Sequence, residues 1–351
     1  MKTKEDKMET EVLKVDRDNI DQEIIKKAAN LLKDGKLVAI PTETVYGLGA
    51  NGLDDLACRK IFETKNRPAD NPLILHISNI DMLYNLVERV SDEARKLFDL
   101  WPGPLTMIFK KSKLIPDTVT AGGDTVAIRF PVDKIARAII SEANLPIAAP
   151  SANISGRPSP TNADDCYFDL KGKVPLIVDG GESKIGIEST VIDLSEDVPT
   201  ILRPGFYTLE MLREILPNVR LDDALVDDNV VPKSPGQKYK HYAPKARMQV
   251  YVGKRASDFI YKKAKSYKNQ GIHVGVLVFE EDIDRFDEFD RISFGSRNDL
   301  NQMSHTLFSS LRQMDKLGVD LILAEGVMDN NLGKSIMNRM KKSAAGNIEY
   351  L

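Results

Sequence analysis

Cysteine is nearly absent. Cys58 and Cys166 stand far apart and form no CxxC pair, so neither a disulfide framework nor a cysteine-rich zinc site is expected. The four histidines, His76, His241, His273 and His305, are scattered without HExxH spacing, and no metal-ligating residues are assigned. No GxxxxGK[ST] pattern occurs, which argues against a P-loop ATPase. No GxGxxG closes a strand and opens a helix, which argues against a dinucleotide-binding dehydrogenase. No GxSxG marks a nucleophile elbow. Apolar runs fall short of the ~20 residues a bilayer span requires. Residues 1–11 are charged and lack an apolar core, so no signal peptide is read and a cytoplasmic protein, with no membrane contact, is expected. A surplus of cations is missing too. Net charge is -3, which gives no support to stable nonspecific nucleic-acid binding.

Forty-two per cent hydrophobic and 29% charged residues describe a soluble globular chain. Its 351 residues suggest two domains. The first dozen residues read as a frayed, solvated tail. Residues 21–33 carry one apolar stripe, Ile24, Ile25, Ala28, Leu31 and Leu32, and predict a helix stopped at Asp34-Gly35. Buried strands are expected at 37–40, 72–77, 105–110, 126–130, 147–149, 176–179 and 189–194. Helices are expected at 54–64, 91–98 and 208–216, with a loop over 42–49. Such alternation implies a mixed α/β layer domain with a twisted sheet. Residues 217–245 are acidic in part and broken by Ser234-Pro235-Gly236 and Ala243-Pro244, and read as a linker. A second alternating unit follows, with strands at 248–252, 274–278 and 321–324. Helices are expected at 256–267, along Met303, Leu307, Leu311 and Met314, and at 335–342. This unit predicts a small parallel sheet.

Three loop clusters in the first unit could bind a ligand. Pro41 to Gly49 follows a buried strand, where open α/β sheets place ligands; an ordinary connection capped by threonines is the plain alternative. Lys65-Asn66-Arg67-Pro68, with Asn71 and His76, sets two cations near a rigid turn, as phosphate oxygens require; a solvated basic helix end is the alternative, and a satisfied core histidine is the plain alternative for His76, which lies in an apolar strand. Arg129 lies among apolar neighbours on a strand, where it needs an anion, either a ligand carboxylate or an internal acid. Thr125 precedes it, and Ala149-Pro150-Ser151-Ala152-Asn153 forms a small polar loop that serves as ligand loop or turn.

Together these clusters resemble the YrdC-type domain of L-threonylcarbamoyladenylate synthases. The family's KxR and SxN pairs stand here as Lys65-Asn66-Arg67 and Ser151-Ala152-Asn153. Further matches are Pro41 to Gly49, Gly186 to Val191, Leu202-Arg203-Pro204-Gly205, Ser234-Pro235-Gly236-Gln237 and His241-Tyr242-Ala243-Pro244. Ile336-Met337-Asn338-Arg339 resembles the second domain of the family's longer form. The resemblance implies a YrdC-like twisted open sheet with flanking helices over 12–216. It also implies a linker and lid over 217–245 and a smaller Rossmann-like α/β domain over 246–351.

The resemblance further implies a nucleotidyltransferase. L-Threonine, bicarbonate or CO2 and ATP would give threonylcarbamoyl-AMP and pyrophosphate, with Mg2+ on the triphosphate, as the first step of threonylcarbamoyl-adenosine formation in tRNA. Carried over by motif, Thr44, His76, Arg129, Ala149 and Ser189 would hold L-threonine. Lys65, Arg67, Asn71, Thr125, Ser151, Asn153, Ser159, Arg203 and Tyr242 would hold ATP, with Lys65 and Arg67 as the catalytic phosphate cations. A transient contact with a downstream threonylcarbamoyl-transferase complex and a weak tRNA contact are expected. Related hydrogenase-maturation proteins carry cysteine-rich zinc modules, which two cysteines do not supply. A noncatalytic RNA-binding module of the same fold is the competing function.

Overall fold

The computed structural model describes residues 8–225 and 241–351. The linker motif Ser234-Pro235-Gly236-Gln237 and the acidic stretch through Pro232 lie largely or wholly outside the described residues.

The expected α/β layering forms around an eleven-stranded mixed sheet. Its order across the sheet is Glu11–Lys14, Leu176–Asp179, Val38–Ile40, Gly47–Asn51, Ile147–Ala148, Ile74–His76, Thr125–Arg129, Leu105–Lys110, Thr190–Asp193, Thr200–Arg203 and Arg220–Leu221. Helix Gln22–Lys33 starts at Asp21, whose carboxylate accepts from the amides of Glu23 and Ile24, satisfying donors the helix leaves free. Its apolar face, Ile25, Ala28 and Leu32, packs with Ile135, Ile139 and Ile140 of helix Lys134–Ala143 over Val38, Ile40 and Val178. Helix Asp55–Lys65 buries Ala57, Cys58 and Ile61 with Tyr46, Leu48 and Leu75 in a separate core.

Two expectations are corrected here. The first dozen residues do not all fray. Glu11–Lys14 is an edge strand in parallel register with Leu176–Asp179, and the Thr10 hydroxyl donates to Val174 O at 2.6 Å. Its pairing comes from residues far along the chain, which local patterning cannot reveal. The loop expected over 42–49 ends early, because strand Gly47–Asn51 begins inside it. Glycine is weak in strands, but close packing requires it here: a Cβ on Gly49 would lie 3.1 Å from Val38 O and from the Ile147 side chain. Within the stretch read as linker, Arg220–Leu221 pairs with Thr200–Arg203 at the opposite edge.

The C-terminal unit is a five-stranded, fully parallel sheet in the order Asp290–Ser293, Val274–Val278, Leu321–Glu325, Arg247–Val252, Ile348–Tyr350. Helix Ala256–Asn269 covers one face through Ile260 and Ala264. Helices Leu300–Leu317 and Asn331–Ser343 cover the other through Met303, Leu307, Ile336 and Met340. These last two helices lie between the small sheet and the first unit. Their core takes in Val45 and Ile187 from that unit and Tyr242 after it. Glycine permits the approach at Gly186, where φ is +83° and a Cβ would meet His305 Cα at 2.4 Å. Among the described residues, no helix is long and apolar enough to cross a membrane.

Candidate functional site

Sheet register assembles the site. His76 pairs with Arg129 across neighbouring strands, Arg129 with Thr106 on the next, and Thr106 with Val191 beyond it. Residues opposite one another share a sheet face. Loops then wall the resulting cleft, bringing in Thr44, Asn71, Ala149, Ser151 and Ser189. Arg67, Arg203 and Tyr242 line it too.

Arg129 lines the cleft beside His76. Its Nη2 donates to Glu43 Oε1 at 2.6 Å, so the internal acid left open by the sequence is Glu43. Arg129 Nε and Glu43 Oε2 are buried and have no hydrogen-bond partner. Leaving such atoms unpaired is costly; Arg129 lines the cleft, and Glu43 lies behind it. His76, 2% exposed, is held to a pKa of about 3 by burial and then by Arg129, so its imidazole is neutral at pH 7. Ser189 Oγ lies 2.8 Å from Thr106 Oγ1 and accepts from Arg203 Nη2 at 3.1 Å.

The two cations expected at phosphate, Lys65 and Arg67, stand in different places. Asn66 caps helix Asp55–Lys65 in the left-handed region, φ +51°, and this turn sends neighbouring side chains apart. Arg67 enters the cleft, anchored by Nε to Asn71 O at 3.1 Å and by Nη2 to Pro72 O at 3.0 Å. Burial chiefly lowers its pKa to about 10, and it remains charged. Lys65 turns behind the Ser151–Asn153 loop, donating to the carbonyls of Ser151 and Asn153, and is absent from the cleft lining. Burial first and Arg67 second hold its pKa well below the ordinary lysine value. Ser151 Oγ donates to Asn153 Oδ1 at 2.5 Å, and Asn153 Nδ2 donates to Arg157 O at 3.0 Å. Ser159 Oγ donates to Glu188 Oε1 at 2.6 Å. Asn153 and Ser159 thus form a layer supporting the wall, while Thr125 starts its strand opposite Lys110 and does not line the cleft.

The C-terminal unit builds part of the same cleft, which sequence reasoning missed. Arg339 is fully buried. Its Nε donates to Glu188 Oε2 at 3.2 Å, Nη2 to Glu188 O at 3.3 Å, and Nη1 to Pro204 O. Ser335 Oγ donates to Gly205 O at 2.7 Å, and Ser304 Oγ to Ile185 O at 2.8 Å. Burial raises the Glu188 pKa, but Arg339, Arg203 and the Ser159 hydrogen bond outweigh it and leave a net lowering. Lys342 and His241 also line the cleft. Tyr242 packs against Phe308 at 5.0 Å between ring centroids. Glu188 and Arg339 stand inside recognised motifs, which was the available signal. Glu43 also stands inside a matched stretch, Pro41 to Gly49, and Lys342 stands in none.

A second hollow lies at the junction of the units, lined by Arg157, Phe168, Lys245, Arg312 and Lys316. Asp169 and Asp165 already pair with Arg157, Arg312 and Lys316, which leaves little charge for a ligand.

The geometry agrees with known proteins. The family model Sua5–YciO–YrdC, described as "Telomere recombination", matches residues 30–205. The model "Threonylcarbamoyl-AMP synthase, C-terminal domain" matches residues 207–345. A Pyrococcus abyssi protein named threonylcarbamoyl-AMP synthase is 45% identical, covering 93% of this chain and 96% of its own length. One from Bacillus subtilis with the same name is 44% identical, covering 92% and 94%. The crystal structure of P. abyssi Sua5 complexed with L-threonine superposes with a TM-score of 0.91 at 43% identity, covering 97% of this chain and 99% of that one. This chain belongs to the Sua5–YciO–YrdC family, in the form that carries the threonylcarbamoyl-AMP synthase C-terminal domain.

Proposed function

We propose that the cleft joins L-threonine, bicarbonate or CO2, and ATP into threonylcarbamoyl-AMP with release of pyrophosphate. The observation that carries this reading is the union of two subsites in one cleft. One part holds Arg129, backed by Glu43, with neutral His76, Thr44 and Ser189, and the same cleft carries Arg67 and Arg203. Relatives that span nearly the whole chain bear the synthase name, and one was solved with L-threonine.

In this reading the Arg129 guanidinium meets the threonine carboxylate, and the Ala149 backbone and Ser189 fix its remaining polar groups. The threonine nitrogen takes up CO2 to give a carbamate. A carbamate oxygen then attacks the α-phosphorus of ATP, the bond to the bridging oxygen breaks, and pyrophosphate leaves. Negative charge gathers around phosphorus, so placement and fixed cations supply most of the acceleration. Arg67 and Arg203 face that charge directly. Lys65, Asn153 and Ser159 keep the wall in place, Lys65 through the loop it clamps. Asn71 and Ser151 complete the nucleotide side. Mg2+ enters with the triphosphate as part of the substrate. Among the described residues no group of three His, Cys, Asp or Glu side chains could hold a metal, and phosphate oxygens with water satisfy such an ion.

Tyr242, seated against Phe308, closes over the nucleotide and shields the adenylate from water. Residues 12–216 would form the catalytic unit, 217–245 the lid and 246–351 the supporting unit. The labile product calls for a transient contact with a threonylcarbamoyl-transferase that modifies tRNA, with a weak tRNA contact of the enzyme's own. The reading is tested by measuring pyrophosphate release with L-threonine and bicarbonate each present or omitted, and the adenylate by mass spectrometry. Folded protein that releases no pyrophosphate under any of these conditions would overturn it. Salt-sensitive RNA affinity would then favour the binding-module alternative.

A further inference from the structure

Ser189 joins the residues read as holding L-threonine to Arg203, read as facing ATP, and this inference rests on that reading. The Ser189 hydroxyl has one hydrogen and two lone pairs. Arg203 Nη2 lies 3.1 Å from its oxygen, and a guanidinium only donates, so one lone pair is taken. Arg203 Nε also donates to Ser189 O at 3.0 Å. Thr106 Oγ1 lies 2.8 Å from the same hydroxyl oxygen, and distance alone does not say which of the two hydroxyls gives its proton.

Burial decides it. Thr106 has no solvent exposure, and among the described residues its hydroxyl has Ser189 Oγ as its one hydrogen-bond partner. If Thr106 accepted, its own hydrogen would be buried without an acceptor, a cost that folded proteins avoid. If Thr106 donates, its hydrogen is used and both lone pairs of Ser189 are filled. The hydrogen of Ser189 is then left over. Ser189 lines the cleft and Thr106 does not.

We propose that Thr106 is a positioning residue that makes Ser189 a hydrogen-bond donor to an oxygen of L-threonine.

Sheet register holds Thr106 to this task. It is paired with Arg129 on one neighbouring strand and with Val191 on the other, and both of those line the cleft. A β-branched side chain is stiff at χ1, so its hydroxyl stays at Ser189. Donation from Thr106 through Ser189 to the substrate strengthens each bond in the chain. The polarity also has a chemical consequence. The threonine nitrogen must offer its lone pair to CO2. A Ser189 hydroxyl with both lone pairs filled cannot accept from that nitrogen, and its hydrogen serves a carboxylate or hydroxyl oxygen instead.

Calorimetry of L-threonine binding to the full chain tests this. Thr106→Val keeps the shape and the branching and removes the hydroxyl. Its affinity for L-threonine should fall about 5- to 10-fold, the loss of one hydrogen bond, with affinity for a nonhydrolysable ATP analogue kept within about twofold. Thr106→Ser keeps the hydroxyl and loses the methyl, and should return to within about twofold of wild type. In a Ser189→Ala background, Thr106→Val should cost less than about twofold more, because the two act in series. L-2-Aminobutyrate, which lacks the hydroxyl, separates the two oxygens: an equal fall places the donor on the carboxylate, and a smaller fall places it on the hydroxyl. Full affinity in Thr106→Val, Thr106→Ser binding more weakly than Thr106→Val, or an undiminished fall in the Ser189→Ala background would overturn the proposal and leave the reading of the cleft standing. Wild type that fails to bind L-threonine would bring down both. If Thr106→Val does not fold, Thr106→Ala against Thr106→Ser asks the same question, since those two differ in the hydroxyl alone.

Discussion

Replacing Arg339 with methionine should loosen the catalytic unit, although the residue belongs to the other one. The stem is kept, and the guanidinium is lost from a site with no solvent exposure. Its bonds to Glu188 Oε2, Glu188 O, Pro204 O and Ser335 O go with it. Glu188 then remains buried with Ser159 as its hydroxyl partner. Removing one member of a buried ion pair costs about 3–5 kcal/mol, more than the pair itself contributes, because the remaining charge is stranded. The single tryptophan, Trp101, is buried in the first unit's core, so its fluorescence during urea unfolding reports on that unit. The Trp101 transition should move to lower urea by the equivalent of about 3–5 kcal/mol. Adding Glu188→Leu should recover part of the loss, a non-additivity that distant sites do not show. The difference should also depend on pH. The Glu188 pKa lies below its ordinary 4.5 in the folded chain, so the pair's contribution is full above that value and is lost as pH falls through the folded pKa. Wild type and variant should therefore converge in acid. A loss under about 1 kcal/mol at neutral pH, the range of a solvent-exposed pair, would refute the buried-pair reasoning.

Lys65→Met should lower the kcat/KM for ATP by about 10- to 100-fold by freeing the Ser151 and Asn153 carbonyls, and pyrophosphate release would show it. Arg129→Met should raise the KM for L-threonine by about 10- to 100-fold and leave that for ATP within about twofold, in the same assay with each substrate varied. Arg129→Lys should not rescue it, since an ammonium cannot hold Glu43 and a carboxylate in one fork. His76 stays neutral down to about 3 when folded and takes a proton near 6.5 when unfolded. The unfolded state therefore binds more protons between those values, and stability falls as pH drops through them. His76→Asn should flatten that fall, followed by Trp101 fluorescence.

Long apolar runs were legible because burial on both faces removes any need for alternation. Val274–Val278 and Leu176–Asp179 appear where they were expected. Helix Lys134–Ala143 was missed despite Ile135, Ile139 and Ile140 at helical spacing and a capping Asp133. Its signal was present and unread. Gly47–Asn51 was hidden for the opposite reason, since its glycines read as a loop although close packing against Val38 and Ile147 is what requires them. In the cleft, Thr44, His76, Arg129 and Ser189 could be grouped by motif. The Arg129–Glu43 pair could not, because register across several strands creates it. Lys342 follows Lys341 at a helix end and looks like any solvated charge. Packing between units reverses that impression.

The clasp formed by Arg339, Ser335 and Ser304 also bears on how the protein is made. Domains generally fold as they leave the ribosome, first unit first. In this chain the loops around Glu188 and Gly205 emerge early and wait for their partners until the helix bearing Ser335 and Arg339 has been synthesised. The buried carboxylate has no guanidinium during that interval. A nascent chain can thus fold its large sheet and still lack the contacts that Arg339 and Ser335 make with Glu188, Pro204 and Gly205, so this side of the cleft is completed only once translation has passed the second unit's last helix.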